Sequence, residues 1–326
     1  MSLGKRILSK FSREFGILFA LLLTVAVFGI LDPFYFTTQN LINIVEQTTI
    51  NGLLALGITF VIITGGIDLS VGSNMAVGIV IVGTLLVAGV PPFLCILIGI
   101  VLGFVLGLFN GFVVSKMKLL PFIATLGTMS IYRGIAFVFT GGWPVLNIPG
   151  EFRRMFTSRT IGLIPNSVIL MLAFTVVGYV LLKHTRFGTY LYSMGGNEDA
   201  TRMSGINVDR NKMIAYGLCG VGTALAALVM LARLGTGEPM AGQGDELNAI
   251  AATAIGGTSL KGGKGSIIGT LLGALFLQAL RVGLIVVGVE PFWQFIATGV
   301  IIIVAVYFDV LKEKFALLQG AAATAK

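Results

Sequence analysis

The sequence predicts an all-α integral membrane protein of about ten transmembrane helices, some short or broken, with both termini cytoplasmic. Three observations carry that prediction. The 326-residue chain is 56% hydrophobic and 11% charged, where an ordinary soluble domain carries roughly 25% charge. Apolar runs of about 17–25 residues recur from end to end, each matching the ~30 Å hydrocarbon core of a bilayer. The lysines and arginines gather in alternate connections, as the positive-inside rule requires.

The spans fall at 15–31, 50–65, 72–90, 93–114, 120–141, 164–182, 213–232, 246–258, 266–287 and 292–309. With the N-terminus inside, the cytoplasmic segments hold 16 of the 22 Lys and Arg residues. Four lie outside (Arg153, Arg154, Arg159, Arg233), and Arg133 and Arg281 sit within spans. The net charge of +8 is therefore explained by topology rather than by a nucleic-acid partner. No linker divides the chain, so residues 1–326 form a single transmembrane domain.

The first span follows a basic stretch, Lys5 to Arg13, which imitates a signal peptide. It ends in "ILDPFYF" without a small-residue cleavage site, so it reads as a retained helix. Phe34, Tyr35, Phe36, Trp143 and Trp293 fall near predicted external boundaries, where an aromatic belt is expected.

Between the second and third spans lies "ITGGIDLSVGSNMAVG", residues 63–78. Non-helical backbone at membrane depth is tolerated where protein buries it or water lines it. Gly65, Gly66 and Gly72 permit a turn, while Asp68, Ser70, Ser73 and Asn74 can satisfy freed backbone groups. Asp68 either caps the helix beginning near Leu69 or serves a gating or ion role.

The span 93–114 places Gly99, Gly103, Gly107 and Gly111 on one helical face. That face is expected to be buried against another helix; a groove open to cargo is the alternative. The segment 142–163 forms an external loop, and its basic cluster suits either an acidic docking surface or ordinary solvation. "GGTSLKGGKGS" (256–266) echoes "GGIDLSVGS" (65–73), as repeats in transporters do. Chance likeness between two Gly-rich turns is the competing explanation.

Residues 183–212 are the longest polar cytoplasmic loop. Within it "NEDATRMSG" reads as a short helix: Asn197 as N-cap, Glu198 and Asp199 in the first turn, Arg202 in the last, and Gly205 at the stop. Two turns are marginal alone in water, so this helix must pack on the protein's own base or on a partner.

Catalytic devices are missing from the sequence. His184 is the single histidine, and no HExxH or GxxxxGK[ST] order occurs. Cys95 and Cys219 lie in separate spans and indicate neither a disulfide nor a metal site. Few ionisable groups enter the spans, which disfavours an ion-driven carrier. Polar span residues Asn74, Asn110, Thr125, Thr128, Asn248 and Gln278 either bond between helices or face a conduit.

"HTRFGTYLYSMGGNEDATRMSGINV", "GGIDLSVGS" and "ELNAIAATAIGGTSLKGGKGSIIGTLLGAL", in this order, resemble the permease subunit of bacterial ATP-binding-cassette sugar importers, most closely the ribose permease group. The resemblance runs from about residue 30 to 310. It implies a permease in the inner membrane, paired with a second permease subunit as a homodimer. The implied companions are a cytoplasmic ATPase subunit and a periplasmic or lipid-anchored sugar-binding protein. The cargo would be a monosaccharide, ribose first, with other pentoses or hexoses as alternatives. The permease itself would hold no cofactor and perform no catalysis. It assigns ATPase coupling to Gly196, Asn197, Glu198, Asp199, Arg202, Ser204 and Gly205. It assigns the pathway and its gate to Gly65, Gly66, Asp68, Ser70, Gly72 and Asn74, and to Gly256, Gly257, Gly262, Gly263 and Gly265. Binding-protein docking falls to Arg153, Arg154 and Arg159.

Overall fold

The computed structural model describes residues 3–290, with side chains from Glu14 onward, and residues 292–294, 296, 297, 299, 300, 303 and 307. All regular structure among them is helical apart from two isolated bridges, Val145 with Gly237 and Ile161 with Ile164. Among the described residues, seven helices are long and apolar enough to cross a membrane. The predicted tenth span, 292–309, and the C-terminus lie largely outside the described residues.

α1 (Leu3–Leu31) ends at Asp32, whose carboxylate accepts from Phe34 N at 2.8 Å and starts a 3₁₀ turn at Pro33–Phe36. Tyr35 of that turn is not part of an aromatic belt. It is fully buried and its hydroxyl donates to Ala279 O at 2.7 Å. Phe34, Phe36, Trp143 and Trp293 are exposed, as expected.

α2 (Thr38–Ile63) starts at the Thr37 cap, twelve residues before the predicted span. Its first half carries Asn43, Glu46 and Gln47, which looked like a loop. Two of these residues instead bond along and across helices: Gln47 donates to Asn43 Oδ1 at 2.9 Å, and Gln278 donates to Gln47 Oε1 at 2.8 Å.

α3 (Val71–Val87) and α4 (Pro92–Ser115) follow, with proline at the start of α4, where its missing N–H costs nothing. α5 (Pro121–Thr140) repeats that device and stops at Gly141 in the left-handed conformation. The predicted external loop holds a helix, α6 (Gly150–Thr157), anchored by buried Phe152 and Phe156. After α7 (Asn166–His184) the predicted polar loop contains two helices. α8 (Arg186–Gly196) was not foreseen, whereas α9 (Glu198–Met203) was.

α10 (Val208–Leu234) and α2 pack together as the buried centre, and α3 lies between α10 and α5. The glycine face of α4 packs on α10. A methyl group on Gly103 would stand 2.5 Å from Gly220 O, and one on Gly111 would stand 2.6 Å from Met213 Cα. That face is therefore a helix contact and not an open groove. α11 (Asp245–Ile255) has 11 residues, about 16 Å of helix. The eighth predicted span is thus half a bilayer long. α12 (Ile267–Val286) closes the described bundle against α1, α2 and α11.

Candidate functional site

The break after α2 begins at Gly65, whose φ of +80° continues the chain where a side chain is rarely tolerated. Asp68 is buried, and its Oδ1 accepts from Ser70 N at 2.9 Å and from Ser70 Oγ at 2.7 Å. This Asx arrangement leads into α3 two residues later than the predicted start at Leu69. A third donor comes from α4. Asn110 Nδ2 lies 3.3 Å from both Asp68 oxygens and 2.6 Å from Ser70 Oγ.

Tyr132 of α5 donates to Asn110 Oδ1 at 3.1 Å. The hydroxyls of Tyr216 and Thr125 both donate to Ile67 O at 3.3 Å. The broken backbone is thus satisfied from α5 and α10, and Asp68 does not cap α3, whose cap position is Ser70, but accepts from Ser70 and Asn110 within a buried network. Asn110, Thr125 and Thr128 are bonded within or between helices and do not face a conduit.

The second Gly-rich segment follows α11 and folds back on itself, with Ser259 N donating to Lys264 O at 2.9 Å. It then meets the first segment. Gly263 N donates to Ile63 O at 2.9 Å, and a methyl group on Gly262 would lie 2.7 Å from Gly65 N. Gly262 itself sits at φ +87°.

The third party is the end of α8. A Cβ on Gly195 would collide with Ile63 O and Gly263 N, and one on Gly263 would come within 3.0 Å of Gly196 N. Tyr192 of α8 donates to Gly265 O at 2.9 Å. Three backbones, at 63–65, 195–196 and 262–263, therefore touch without a side chain between them. Gly195 was missed in the sequence; the recurrent Gly-Gly pairs at 65–66, 195–196, 256–257 and 262–263 were the available signal.

At the other end of the first segment Gly72 meets Gly242, which precedes α11. A Cβ on Gly72 would collide with Gly242 O and with Glu246. Gly256 lies against Gly269 of α12 just as closely.

α9 is capped by Asn197, which accepts from Ala200 N at 2.9 Å, as predicted. Ser204 donates to Ala200 O, and Gly205 ends the turn at φ +81°. Ion pairs fasten the helix to its own base. Glu198 pairs with Arg202 at 3.2 Å and Lys212 at 2.5 Å, and Arg202 pairs with Asp209 at 2.9 Å. Asp209 also meets Lys116 and Lys118, between α4 and α5. Burial pushes the Glu198 carboxyl up, but the hydrogen bonds and charges of Lys212 and Arg202 outweigh it and hold the group below its ordinary range. The opposite side of α9 is free of these contacts. Asp199 and Ser204 are exposed there, and Met203 is 89% exposed.

Of the basic cluster, Arg153 reaches inward and donates through Nε to Ala232 O at 3.3 Å, at the C-terminal end of α10. Arg154 and Arg159 are exposed.

A cavity of about 480 Å³ opens between α2, α11 and α12. Asn51, Asn248 and Gln278 line it, with Asp245 and Arg281. Asn248 and Gln278, two of the polar span residues in the sequence, thus do reach an open space.

Residues 40–306 match the family described as a branched-chain amino acid transport system permease component. The chain belongs to this permease family. It is 43% identical over 300 residues to the ribose import permease protein of Escherichia coli K12, covering 91% of this chain and 93% of that one. The ribose import permease protein of Bacillus subtilis 168 is 42% identical over 299 residues, covering 91% and 92%. The galactose/methyl galactoside import permease protein of E. coli K12 is 35% identical over 329 residues, covering 95% and 98%. No solved structure matches this permease. As a permease with seven apolar helices of spanning length, it is a membrane protein that carries out transport rather than covalent chemistry.

Proposed function

We propose that this chain is the membrane subunit of an ATP-binding-cassette importer for a neutral monosaccharide, ribose before other pentoses and hexoses. Transport is energised by ATPase subunits that grip α9 from the cytoplasmic side. The carrying observation is the glycine junction, in which the end of α8 abuts both broken segments through backbone alone. A push on α9 reaches Gly196 and Gly195 within three residues, and from there Gly65 and Gly262. Exposed Met203, on a helix otherwise held by charge, suits an apolar socket on the ATPase.

In this reading Gly196, Asn197, Glu198, Asp199, Arg202, Ser204 and Gly205 form the coupling element within 183–212. The segments around Gly65 to Asn74 and Gly256 to Gly265 form the gate. A sugar-binding protein docks on the opposite face, where Arg154 and Arg159 are free and Arg153 steadies α10. A second copy completes the permease, whose roughly ten membrane helices include the short α3 and the half-length α11. Relatives whose names specify ribose or galactose import supply the cargo class.

Co-expression with a candidate ATPase and binding protein, followed by ATP-dependent ribose uptake in vesicles, tests the reading. Met203→Glu should abolish co-elution of the ATPase while leaving the permease folded. Uphill uptake by the permease alone would overturn it.

A further inference from the structure

We propose that the cavity between α2, α11 and α12 is a cargo subsite for a polyhydroxylated neutral molecule, with Asn51 as its principal contact. The proposal rests on the transport reading above and adds the place and residues of the encounter.

Asn51 sits midway along α2, and its side-chain oxygen is buried with no hydrogen-bond partner among the described residues. A buried amide oxygen left unpaired is costly, and native structures rarely keep one without a use. This oxygen belongs to a residue that lines a space of about 480 Å³, within the roughly 300–1,000 Å³ range of small-molecule sites.

The surroundings match hydroxyl groups. Asn248, one turn into α11, supplies a second amide from the facing wall. Gln278 is oriented by its bond to Gln47, which spends one donor and leaves its own oxygen free of that bond. A sugar hydroxyl donates and accepts at once, as each of these amides does. Leu247 and Leu277 offer apolar wall for the carbon face of a ring.

The lining holds one acidic and one basic side chain, Asp245 and Arg281. Neither an anion nor a cation is selected. The N-terminus of α11 also opens here, and its Gly244 cap has no side chain to bond the first turn. Half-helices ending beside the cargo at mid-depth are a recurring transporter device.

The test uses the importer assembled with its ATPase and binding protein in vesicles. In an Asn51→Cys variant, modification by a thiol reagent should slow at least threefold in D-ribose, D-allose or D-galactose. It should be unaffected by leucine. Cys95 and Cys219 are buried and contribute little background. Asn248→Cys serves the same purpose if the first variant fails to fold.

In parallel, Asn51→Leu should cut ribose uptake at least tenfold while ATP hydrolysis stimulated by the binding protein stays within twofold of wild type. Protection by no sugar, or by leucine alone, overturns the subsite, as does unchanged uptake in Asn51→Leu. If the wild-type assembly shows no ATP-driven uptake, the transport reading fails, and sugar protection at the introduced thiol still decides the subsite.

Discussion

The amide of Gly263 donates to the carbonyl of Ile63 at 2.9 Å, joining the second Gly-rich segment to the last residue of α2. The two residues are 200 positions apart, and Gly195 fills the remaining space beside them. Any movement of α8 must therefore be felt at both segments.

Gly195→Ala tests that contact against a neighbour. Its methyl group would strike Ile63 O and Gly263 N, whereas Gly196→Ala meets nothing within 4 Å. Overpacking of this kind costs about 1–3 kcal/mol, so Gly195→Ala should lower the unfolding midpoint in detergent and impair uptake. Gly196→Ala should stay within about 0.5 kcal/mol of wild type. Equal behaviour of the two variants would remove the junction from the mechanism.

Asn110→Leu strips the inter-helix donor from Asp68 and the acceptor from Tyr132 at one stroke. Tyr132 keeps Leu106 O as an acceptor at 2.9 Å and Asp68 keeps the two donors of Ser70, so the cost is the lost inter-helix bonds, about 1–3 kcal/mol in total. Thermal unfolding should fall sharply, and Asp68→Asn combined with Asn110→Leu should cost less than the sum of the two changes. Strict additivity would show that the two side chains are uncoupled.

Acid should loosen α9 from its base. The Glu198 carboxyl is held below its ordinary value, so the unfolded form binds the proton more readily. Its contribution is fully present above about pH 4.3, the unfolded value, and is lost as pH falls through the lower folded value. Partial exposure keeps it small, under about 1 kcal/mol. Hydrogen-exchange protection at residues 198–204, taken relative to the intrinsic rate at each pH, should fall at low pH in wild type and lose that dependence in Glu198→Gln.

Arg153 and Arg154 should separate by readout. Arg153→Ala removes the donor to Ala232 O and should cost about 1 kcal/mol of stability. Arg154→Ala should leave stability unchanged while weakening binding-protein association, more at low salt than at high. An unchanged affinity in Arg154→Ala and Arg159→Ala together would move the docking surface elsewhere.

Much of this architecture is legible in the chain. The long apolar helices, the break at Gly65 and the Asn197 cap follow from hydropathy, glycine and capping chemistry, which act locally. The early start of α2 does not. Asn43, Glu46 and Gln47 read as solvent-facing until Gln278, over 200 residues away, supplies a partner. Tyr35 looks like a belt residue for the same reason, since its acceptor is Ala279 O. The shortness of α11, by contrast, is legible, since Gly-rich polar segments at 242–244 and 256–266 bound a predicted span of only 13 residues. Gly195 is invisible for a different reason: its role is to be absent, and only the approach of two other backbones reveals that.

The contact of bare main chain at residues 63–65, 195–196 and 262–263 carries a constraint on how the protein can diversify. At Gly195, Gly262 and Gly263 every substitution adds bulk where another backbone already stands, and none can trim it. With cargo held in the amide-lined chamber, as proposed, changes of cargo would accumulate there while the glycine linkage is inherited whole. A permease built this way can acquire a new diet without relearning how to be driven.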